Sequence, residues 1–414
     1  MKHYDVIIIG GGVVGLSSAY YLGKAGKSVL VLEKGDGTDG CSFGNAGFIA
    51  PSHFVPLSAP GIVSKGLRWM FSSESPFYIK PRLSKQLIRW GWEFMNHATD
   101  RHVNDSKKIL AELALLSRDL HIEIAKEGNL DLQQKGIVML CNTEEGFKHE
   151  IEIGEMASGL GMEAHVLSMK ELNKLDPNTK KNGVGGVYFP MDAYTDPAVF
   201  MNKLAELLNI YDVIIEYQSG VEGFELNNGA ISSVSVGEKQ FSADHYIMAA
   251  GSYSTALMKK LNLNLLLEPG KGYSADWTKP TSIPSLSYIL VEKKVAITPF
   301  KDRMRFVGTL ELSGINEKID FKRAHGFLKS IESYFPEYQF EKIKDLKIWA
   351  GLRPCSPDGL PYIGRSKMYS NLILATGHAM LGFTLGPVTG QLVKEIVLEE
   401  KTSLNIEKLS VNRY

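Results

Sequence analysis

The chain has 414 residues, of which 44% are hydrophobic and 22% charged, a composition typical of globular proteins and not of disordered or collagen-like ones. This length predicts about two or three domains. Because 46 basic side chains balance 46 acidic ones, no large positive field is available to hold a polyanion, and we expect no nucleic-acid partner.

The chain opens with a strand–turn–helix–strand pattern. Val6 to Ile9 is a β-branched run typical of a strand buried on both faces of a parallel sheet. Ser17 to Lys24 predicts a helix that ends at Gly26, and Val29 to Leu32 predicts the second strand of a βαβ unit. Residues 42–75 are rich in Gly, Pro and Ser, which predicts loops.

Helices and short strands follow. Apolar residues at spacings of three and four predict helices over 83–97 and 104–128, and Thr195-Asp-Pro predicts a capped helix start. Alternating or β-branched runs predict strands over 136–141, 186–189, 213–217, 220–226, 230–236, 245–249, 288–299, 304–311 and 372–375. We expect a loop over 351–364 and a last helix that ends near Glu399.

This order of elements predicts an α/β fold. A Rossmann-like dinucleotide-binding domain is expected to be interleaved with an α+β substrate domain that contains an antiparallel sheet. We assign residues 1–60, 195–262 and 350–414 to the dinucleotide-binding domain, and residues 61–194 and 263–349 to the substrate-binding domain.

Cysteine usage and the first residues indicate the compartment. Cys41, Cys141 and Cys355 are too few and too widely spaced for a disulfide scaffold or a metal site, so we expect no metal. The apolar run before Gly10 is too short for a secretion signal, and no run of about 18 apolar residues predicts a membrane span. A cytoplasmic protein with a small-molecule partner fits these features.

Gly10, Gly12 and Gly15 spell G-x-G-x-x-G between the first strand and the first helix. Such glycines let the backbone approach a pyrophosphate at the positive end of the helix. Glu33 follows the second strand, where a carboxylate binds ribose hydroxyls and repels a 2′-phosphate. The pattern predicts a dinucleotide site without distinguishing FAD from NAD. The small residues of 40–50 suit either contact with a flat ring or an ordinary flexible loop.

Motifs along essentially the whole chain carry a family resemblance. They are IIGGGVVGL and VLEK at the start, SFGNAGFIAPS, PGKGY at 269–273, GLRPCSPDGLPYIG at 351–364 and GHAMLGFTLGPVTGQLV at 377–393. Together they resemble the D-amino-acid oxidase (DAO) superfamily of FAD-dependent oxidoreductases, and within it most closely the bacterial D-amino-acid dehydrogenases. Glycine oxidases, sarcosine oxidases and D-hydroxyproline dehydrogenases are relatives. The resemblance implies oxidation of a C–N bond by FAD.

The resemblance also implies which residues contact FAD, beginning with the ADP half. The residues expected at FAD are Gly10, Gly12, Gly15, Glu33 and Lys34 at the ADP half, Val221 at the adenine, Ser42, Asn45, Ala46 and Gly47 at the flavin, Gly251 beside the dinucleotide, and Gly377, His378, Leu381, Gly382 and Thr384 at the pyrimidine end. Amides at the start of the last helix would stabilise negative charge on the reduced flavin. We expect non-covalent FAD, because the cysteine that carries flavin in some sarcosine oxidases aligns with Gly351.

The resemblance gives Arg353, in GLRP, the role of binding the substrate carboxylate. A guanidinium suits that role because it forms two parallel hydrogen bonds with a carboxylate, although an ordinary salt bridge is the alternative. Tyr273, in KGY, is expected to assist the carboxylate or border the pocket, with a core tyrosine as the alternative. His378 is assigned to flavin contact and not to proton transfer. Ala379 and Met380 stand where glycine oxidases have a second arginine, which disfavours a strict glycine oxidase.

The expected reaction is therefore FAD-dependent oxidative deamination of D-amino acids to 2-oxo acids, with hydride passing from the α-carbon to flavin N5. The expected partners are an amino-acid or imino-acid substrate and a quinone or other electron acceptor. Three alternatives stay open: a D-proline or hydroxyproline dehydrogenase, a glycine- or sarcosine-type oxidase that uses oxygen, and a flavin-binding electron-transfer subunit.

Residues 61–97 combine basic and aromatic side chains, among them Lys65, Arg68, Trp69, Arg89 and Trp92. This combination suits peripheral contact with a membrane, here the inner face of the plasma membrane. Helices that cover the active site or pack on the other domain are the alternative.

Overall fold

The computed structural model describes residues 2–38, 40–61, 75–280, 282–340 and 346–414. The α-helices in these ranges are α1 (Val13–Lys24), α2 (Lys85–His97), α3 (Asp100–Glu127), α4 (Glu144–Gly159), α5 (Met169–Leu175), α6 (Pro197–Ile210), α7 (Ser254–Lys260), α8 (Phe321–Ile331) and α9 (Gly382–Val397). None of them is long and apolar enough to cross a membrane.

Two large sheets and a short ribbon contain the strands of the same ranges. The strands are β1 (Lys2–Ile9), β2 (Val29–Leu32), β3 (Phe48–Ile49), β4 (Phe77–Ile79), β5 (Ile137–Cys141), β6 (His165–Ser168), β7 (Gly185–Phe189), β8 (Ala193–Tyr194), β9 (Ile214–Glu216), β10 (Gly223–Asn227), β11 (Ala230–Val236), β12 (Lys239–Met248), β13 (Glu268–Trp277), β14 (Ser287–Leu290), β15 (Val295–Pro299), β16 (Met304–Leu312), β17 (Leu346–Cys355), β18 (Tyr362–Arg365) and β19 (Leu372–Thr376).

The first sheet is built on parallel strands in the order β9, β2, β1, β12 and β19, with β10, β11 and β18 added antiparallel. Along β1 the side chains alternate between two cores. Val6 and Ile8 pack in one cluster with α1 and α6, whereas Ile7 and Ile9 pack in another with β12 and β19. This alternation confirms a strand buried on both faces.

The second sheet has the strand order β17, β13, β16, β15, β14, β5, β7 and β6, with β4 beside β16. Most pairs are antiparallel, and β14–β5 and β16–β4 are parallel. One face packs on α8 and the residues that follow it, around Tyr273, Phe306, Phe327 and Tyr338. The α/β class with a separate, mainly antiparallel sheet agrees with the prediction.

Helices α1 and α9 cross at close range because α9 carries glycines at the contact. A Cβ on Gly386 would lie 2.7 Å from a methyl group of Val13, and one on Gly390 would lie 2.5 Å from the backbone of Ser17. Val13 is the first residue of α1, and Gly386 lies in the second turn of α9. The beginnings of the two helices are thus neighbours.

Most predicted elements are confirmed with small shifts at their ends, and 29–32 has the predicted bounds. The strand predicted over 245–249 is longer than expected, because β12 already begins at Lys239. The predicted strand over 288–299 is wrong as one element, because β14 and β15 form a hairpin whose turn includes Lys294 at φ 53°. The predicted loop over 351–364 is wrong at both ends, because β17, which pairs with β13 along its whole length, ends at Cys355 and β18 begins at Tyr362. Of the predicted loops over 42–75, residues 62–74 lie outside the described residues.

Candidate active site at the carboxyl edge of the parallel sheet

Parallel strands of the first sheet end at one common edge. β1 ends at Ile9, β2 at Leu32, β9 at Glu216, β12 at Met248 and β19 at Thr376. The segments after these strands contain most of the predicted cofactor residues. Since ligands of such sheets bind outside the carboxyl ends of the strands, this edge is the candidate site.

Gly10 and Gly15 allow the turn between β1 and α1 to close tightly. Gly10 has φ 109°, and a Cβ on it would lie 2.6 Å from the carbonyl oxygen of Ala249. A Cβ on Gly15 would collide with the carbonyl of Gly10. Only glycine permits these approaches, so the predicted fingerprint has a steric basis in this chain.

Glu33 lies against the same turn. Its carboxylate accepts hydrogen bonds from the backbone N–H groups of Gly11, at 2.6 Å, and Gly35, at 2.7 Å. The chain after β9 runs alongside, since a Cβ on Gly220 would lie 3.2 Å from Cβ of Lys34. The structure therefore brings Glu33, Lys34 and the neighbouring Val221 together at this end of the site.

The N-termini of α1 and α9 both face this edge with little side-chain capping. The Ser42 hydroxyl accepts from the N–H of Val13 at 2.9 Å, and the first turns of both helices lack acidic residues. Uncapped N–H groups give each helix end a partial positive charge. Together with the glycine turn, these ends fit the pyrophosphate and the anionic ring end of a dinucleotide such as FAD.

The predicted flavin loop, residues 42–47, is a compact turn next to α1. The Asn45 side chain donates to the carbonyl of Ser42 at 2.8 Å and accepts from the N–H of Gly47 at 2.7 Å. Gly47 has φ 71°, and its carbonyl accepts from the N–H of Thr195 at 3.0 Å. Ser42, Asn45, Ala46 and Gly47 are thus held together as one unit.

The segment after β19 meets the segment after β12. The Thr376 hydroxyl donates to the carbonyl of Gly251 at 3.2 Å, and Gly251 and Gly377 have φ 54° and 82°. Residues Leu381 and Gly382 form the start of α9. The Thr384 hydroxyl donates to the carbonyl of Phe48 at 2.9 Å and so connects α9 to β3, which directly follows the flavin loop.

His378 is buried within this segment. Its Nε2 lies 2.9 Å from the Thr389 hydroxyl, and burial lowers the pKa of His378 to about 3. The imidazole is therefore neutral at physiological pH, and its Nε2 is directed toward the buried Thr389. This placement agrees with the absence of a proton-transfer role, and contact of the segment with flavin stays a prediction.

Arg353 lies on β17 with its guanidinium over the neighbouring strand. Nη1 donates to the carbonyl of Thr309 at 2.7 Å, and a Cβ on the adjacent Gly272 would collide with the guanidinium. Across the described ranges no carboxylate forms an ion pair with Arg353. The alternative of an internal salt bridge therefore has no support, and burial without a counterion lowers the pKa of this side chain.

Thr309 was not singled out from the sequence. It lies at a β-bulge, where the register of β13 and β16 shifts between Lys271 and Tyr273, and it has φ 65°. A β-branched residue in this left-handed region costs about 1–3 kcal/mol and is often found at functional sites. Here the bulge turns the Thr309 carbonyl toward Arg353. No local sequence signal marks such a bulge.

Tyr273 lies away from Arg353, because the two side chains extend from opposite faces of the β13–β17 pair. Gly270 is the register partner of Arg353, and Tyr273 is an odd number of residues away along β13. The Tyr273 side chain is 0% exposed, and its hydroxyl donates to Glu311 at 3.0 Å. The structure thus does not place Tyr273 beside Arg353; it matches the alternative of a core tyrosine.

Trp349 is a further residue that the sequence analysis missed. It shares the face of β17 that carries Gly351 and Arg353, and a Cβ on either Gly44 or Gly351 would overlap its indole. Trp349, Gly351 and Arg353 stand at every second position, as residues on one face of a strand do, and this spacing is the signal that could have identified Trp349. The indole therefore connects the flavin loop to the strand that carries Arg353.

Ser52 and Asp192 form a buried pair beyond the flavin loop. The Ser52 hydroxyl and N–H donate to the Asp192 carboxylate at 2.5 and 3.1 Å. Burial raises the pKa of Asp192 to about 7, although the bonds from Ser52 oppose the shift. The His53 ring lies 3.2 Å from the Ser52 hydroxyl, and burial lowers the pKa of His53 to about 4.

Comparison with known proteins identifies the family. The family model described as FAD dependent oxidoreductase (DAO) matches residues 5–396. A D-amino acid dehydrogenase of Helicobacter pylori is 32% identical over 394 residues, which cover 95% of this chain and 94% of that protein. The chain therefore belongs to the DAO family of FAD-dependent oxidoreductases.

Solved structures share the fold. Glycine oxidase from Geobacillus kaustophilus superposes with a TM-score of 0.81 at 22% identity, and the match covers 100% of both chains. L-proline dehydrogenase from P. horikoshii superposes with a TM-score of 0.75 at 18% identity, covering 100% of this chain and 98% of that one. The predicted α/β fold with a Rossmann-like FAD-binding part is confirmed.

We expect Asp192→Asn to change the pH dependence of stability. The pKa of Asp192 is about 7 in the folded chain, against about 4 for an ordinary aspartate. The folded chain keeps a proton that the unfolded chain releases between these values, so the free energy of unfolding falls as pH rises from 4 to 7. The loss is at most about 1.4 kcal/mol per pH unit in that window, and the asparagine variant lacks it.

Urea unfolding at pH 5 and pH 7 with saturating FAD measures this difference. Between pH 5 and pH 7 the free energy of unfolding of the wild type should fall by roughly 2 kcal/mol more than that of Asp192→Asn. The variant Asp119→Asn, at an exposed position, should show the same pH dependence as the wild type. Parallel losses in wild type and Asp192→Asn would contradict a raised pKa at Asp192.

Proposed function

We propose that this enzyme catalyses the oxidative deamination of D-amino acids to 2-oxo acids as a dehydrogenase. The observation that carries the proposal is the Arg353 guanidinium, which has no carboxylate partner in the described ranges and lies on a strand joined to the flavin loop through Trp349. A free guanidinium beside a redox cofactor suits an α-carboxylate. The similarity to the D-amino acid dehydrogenase of Helicobacter pylori supports the substrate class.

The chain would bind and orient the substrate, and bound FAD would accept the hydride from its α-carbon. Arg353 holds the carboxylate while Gly272 and the Thr309 carbonyl fix the guanidinium. Such positioning makes the encounter effectively intramolecular. The resulting imine takes up water to give the 2-oxo acid and ammonia. Neutral His378 is not a proton acceptor in this scheme, because burial lowers its pKa to about 3 and makes it a weak base.

A second candidate is a dehydrogenase of cyclic imino acids such as D-proline or hydroxyproline. The fold similarity to L-proline dehydrogenase keeps this candidate open, although at 18% identity it supports the fold alone. A strict glycine oxidase is disfavoured, because Ala379 and Met380 replace the second arginine expected of that group. We also propose a quinone or a similar carrier as electron acceptor.

We further propose that FAD is bound without a covalent bond and that the chain has the two interleaved domains described above. Gly351 supports the first proposal, because this position lacks a sulfur atom. The two sheets support the second, since their strands come from the expected segments. The boundary at residue 350 falls inside β17, which belongs to the second sheet along its length.

We also propose peripheral contact with an anionic membrane through α2, and hence a cytoplasmic location at the inner face of the plasma membrane. One face of this helix exposes Ile88, Trp92 and Met95 together with the basic Lys85 and Arg89. Trp90 is the buried residue of the helix. Apolar and basic side chains on one helix face are complementary to anionic lipid.

Lys65, Arg68 and Trp69, which were part of the predicted basic and aromatic surface, lie outside the described residues. The proposal of membrane contact therefore depends on α2 alone.

A substrate panel tests the proposed reaction. We expect rapid anaerobic bleaching of the flavin by D-amino acids, turnover with a quinone analogue, and little hydrogen peroxide in air. L-amino acids should bleach the flavin at least about tenfold more slowly, because with the carboxylate held in the same place their α-hydrogen is directed elsewhere. Fastest bleaching by prolines would favour the second candidate, and rapid peroxide release would contradict a dehydrogenase.

Arg353→Lys tests the carboxylate-binding role. We expect kcat/KM to fall about 100-fold or more, because lysine cannot form two parallel hydrogen bonds with a carboxylate, while FAD stays bound. Steady-state kinetics with the best substrate of the panel and the visible spectrum of the purified protein measure both effects.

Two further variants complete this test. Gly272→Ala should reduce kcat/KM in the same direction, because the added Cβ displaces the guanidinium without changing Arg353. Arg101→Lys, at an exposed position on α3, should leave the kinetics unchanged. Wild-type kcat/KM in Arg353→Lys would exclude the role.

Ile88→Ser tests the membrane proposal in a vesicle flotation assay. Wild type should float with phosphatidylglycerol vesicles and not with phosphatidylcholine vesicles, and Ile88→Ser should float several-fold less. The matched control is Ile210→Ser on α6, since Ile210 is 68% exposed and Ile88 is 67% exposed. Failure of wild type to float, or equal losses in both variants, would refute contact through α2.

A further inference from the structure

Arg305, on β16, has a buried side chain that is 6% exposed. Asp276 is its register partner on β13. Nε and Nη2 of Arg305 donate to the two oxygens of Asp276 at 2.6 and 2.8 Å, a bidentate ion pair. Such a pair fixes the plane of the guanidinium and leaves Nη1 for other acceptors.

Nη1 of Arg305 reaches from the second sheet to the flavin loop. It donates to the carbonyl oxygens of Phe43 and Asn45, at 3.0 Å each. Thr298 is the register partner of Arg305 on β15, and its hydroxyl donates to the carbonyl of Ala46 at 2.8 Å. A row of side chains across three strands therefore holds three carbonyl groups of residues 43–46.

Fixing these carbonyls also fixes the amide groups of the loop. In a trans peptide the N–H points away from the preceding carbonyl, so the N–H groups of Gly44 and Ala46 are turned away from Arg305. Within the described ranges neither N–H has a hydrogen-bond acceptor, and Gly44 is buried. A buried N–H group without a partner, as at Gly44, is rare and costly, which indicates that a ligand supplies the acceptor. Ala46 is half-buried and lies in the same turn.

We propose that Arg305 is a positioning residue for FAD, which holds the flavin loop so that the N–H groups of Gly44 and Ala46 donate to the bound cofactor. The guanidinium charge also polarises the peptide groups whose carbonyls it binds and so strengthens their N–H donors. Donors of this kind stabilise negative charge on a reduced cofactor more than they stabilise the neutral oxidised form. Arg305 therefore raises both FAD affinity and the reduction potential.

Arg305→Lys tests this role, because a lysine cannot form the bidentate ion pair with Asp276 and also donate hydrogen bonds to both loop carbonyls. We expect the Kd for FAD, measured by titration of the apoprotein, to rise about tenfold or more. The reduction potential should fall, and the visible circular dichroism of the bound flavin should change. Thermal unfolding of the apoprotein shows whether the variant is folded.

Arg303→Lys is the matched control. Arg303 also bonds to Asp276, at 3.0 Å, and pairs with Asp196 at 2.7 Å, but it forms no hydrogen bond with the flavin loop. We expect this variant to keep wild-type Kd, potential and dichroism. Loss of apoprotein stability in Arg305→Lys with unchanged Kd and potential would show a purely structural role and overturn the proposal.

A second variant keeps the proposal falsifiable if Arg305→Lys does not fold. Thr298→Val has nearly the same shape but cannot donate to the carbonyl of Ala46, so Kd should rise about threefold and the dichroism should change in the same direction. Wild-type Kd and dichroism in folded Thr298→Val, with Arg305→Lys unfolded, would equally overturn it.

Discussion

The site depends on a topological constraint: parallel strands have their carboxyl ends at the same edge of a sheet. The neighbours β9, β2, β1, β12 and β19 come from three distant parts of the sequence, and the chain must return to one edge after each of them. Gly10, Gly251 and Gly377 have positive φ in the turns there, a conformation that favours glycine. At Gly10 the backbone also meets the backbone of Ala249, so no side chain fits between them.

The second sheet completes the site from outside the first. On one face of its β13, β16 and β17 strands lie Arg353 at one end and the Arg305–Asp276 pair at the other, six residues apart along β13. At about 3.3 Å per residue this separation is roughly 20 Å. One sheet face therefore carries both Arg353, the residue proposed to bind substrate, and Arg305, which contacts the flavin loop. The relative position of loop and Arg353 is fixed by strand register and not by flexible linkers.

Local signals made part of this arrangement predictable from the sequence. The βαβ unit, the glycine fingerprint and the position of Glu33 depend on residues within about thirty positions of one another. Their sequence pattern was therefore sufficient to predict them. β17 was not predictable, because its Gly- and Pro-containing sequence resembles a loop and becomes a strand only by pairing with β13. The side of β13 on which Tyr273 lies depends on the strand register, and a shift of one residue reverses it. Arg305 contacts a loop more than 250 residues away in the sequence, and sequence motifs do not indicate contacts between such distant residues.

The charge distribution around the proposed substrate position also bears on the chemistry. Arg353 has no carboxylate partner in the described ranges, and the first turns of α1 and α9 lack acidic residues. The Glu33 carboxylate is bonded to the turn between β1 and α1. If an amino acid binds at this position as proposed, the positive environment would favour its carboxylate, disfavour its ammonium group and so lower the pKa of its amine. An amine that loses its proton to water on binding needs no protein base. The neutral, internally bonded His378 is consistent with a site that activates its substrate by this electrostatic effect.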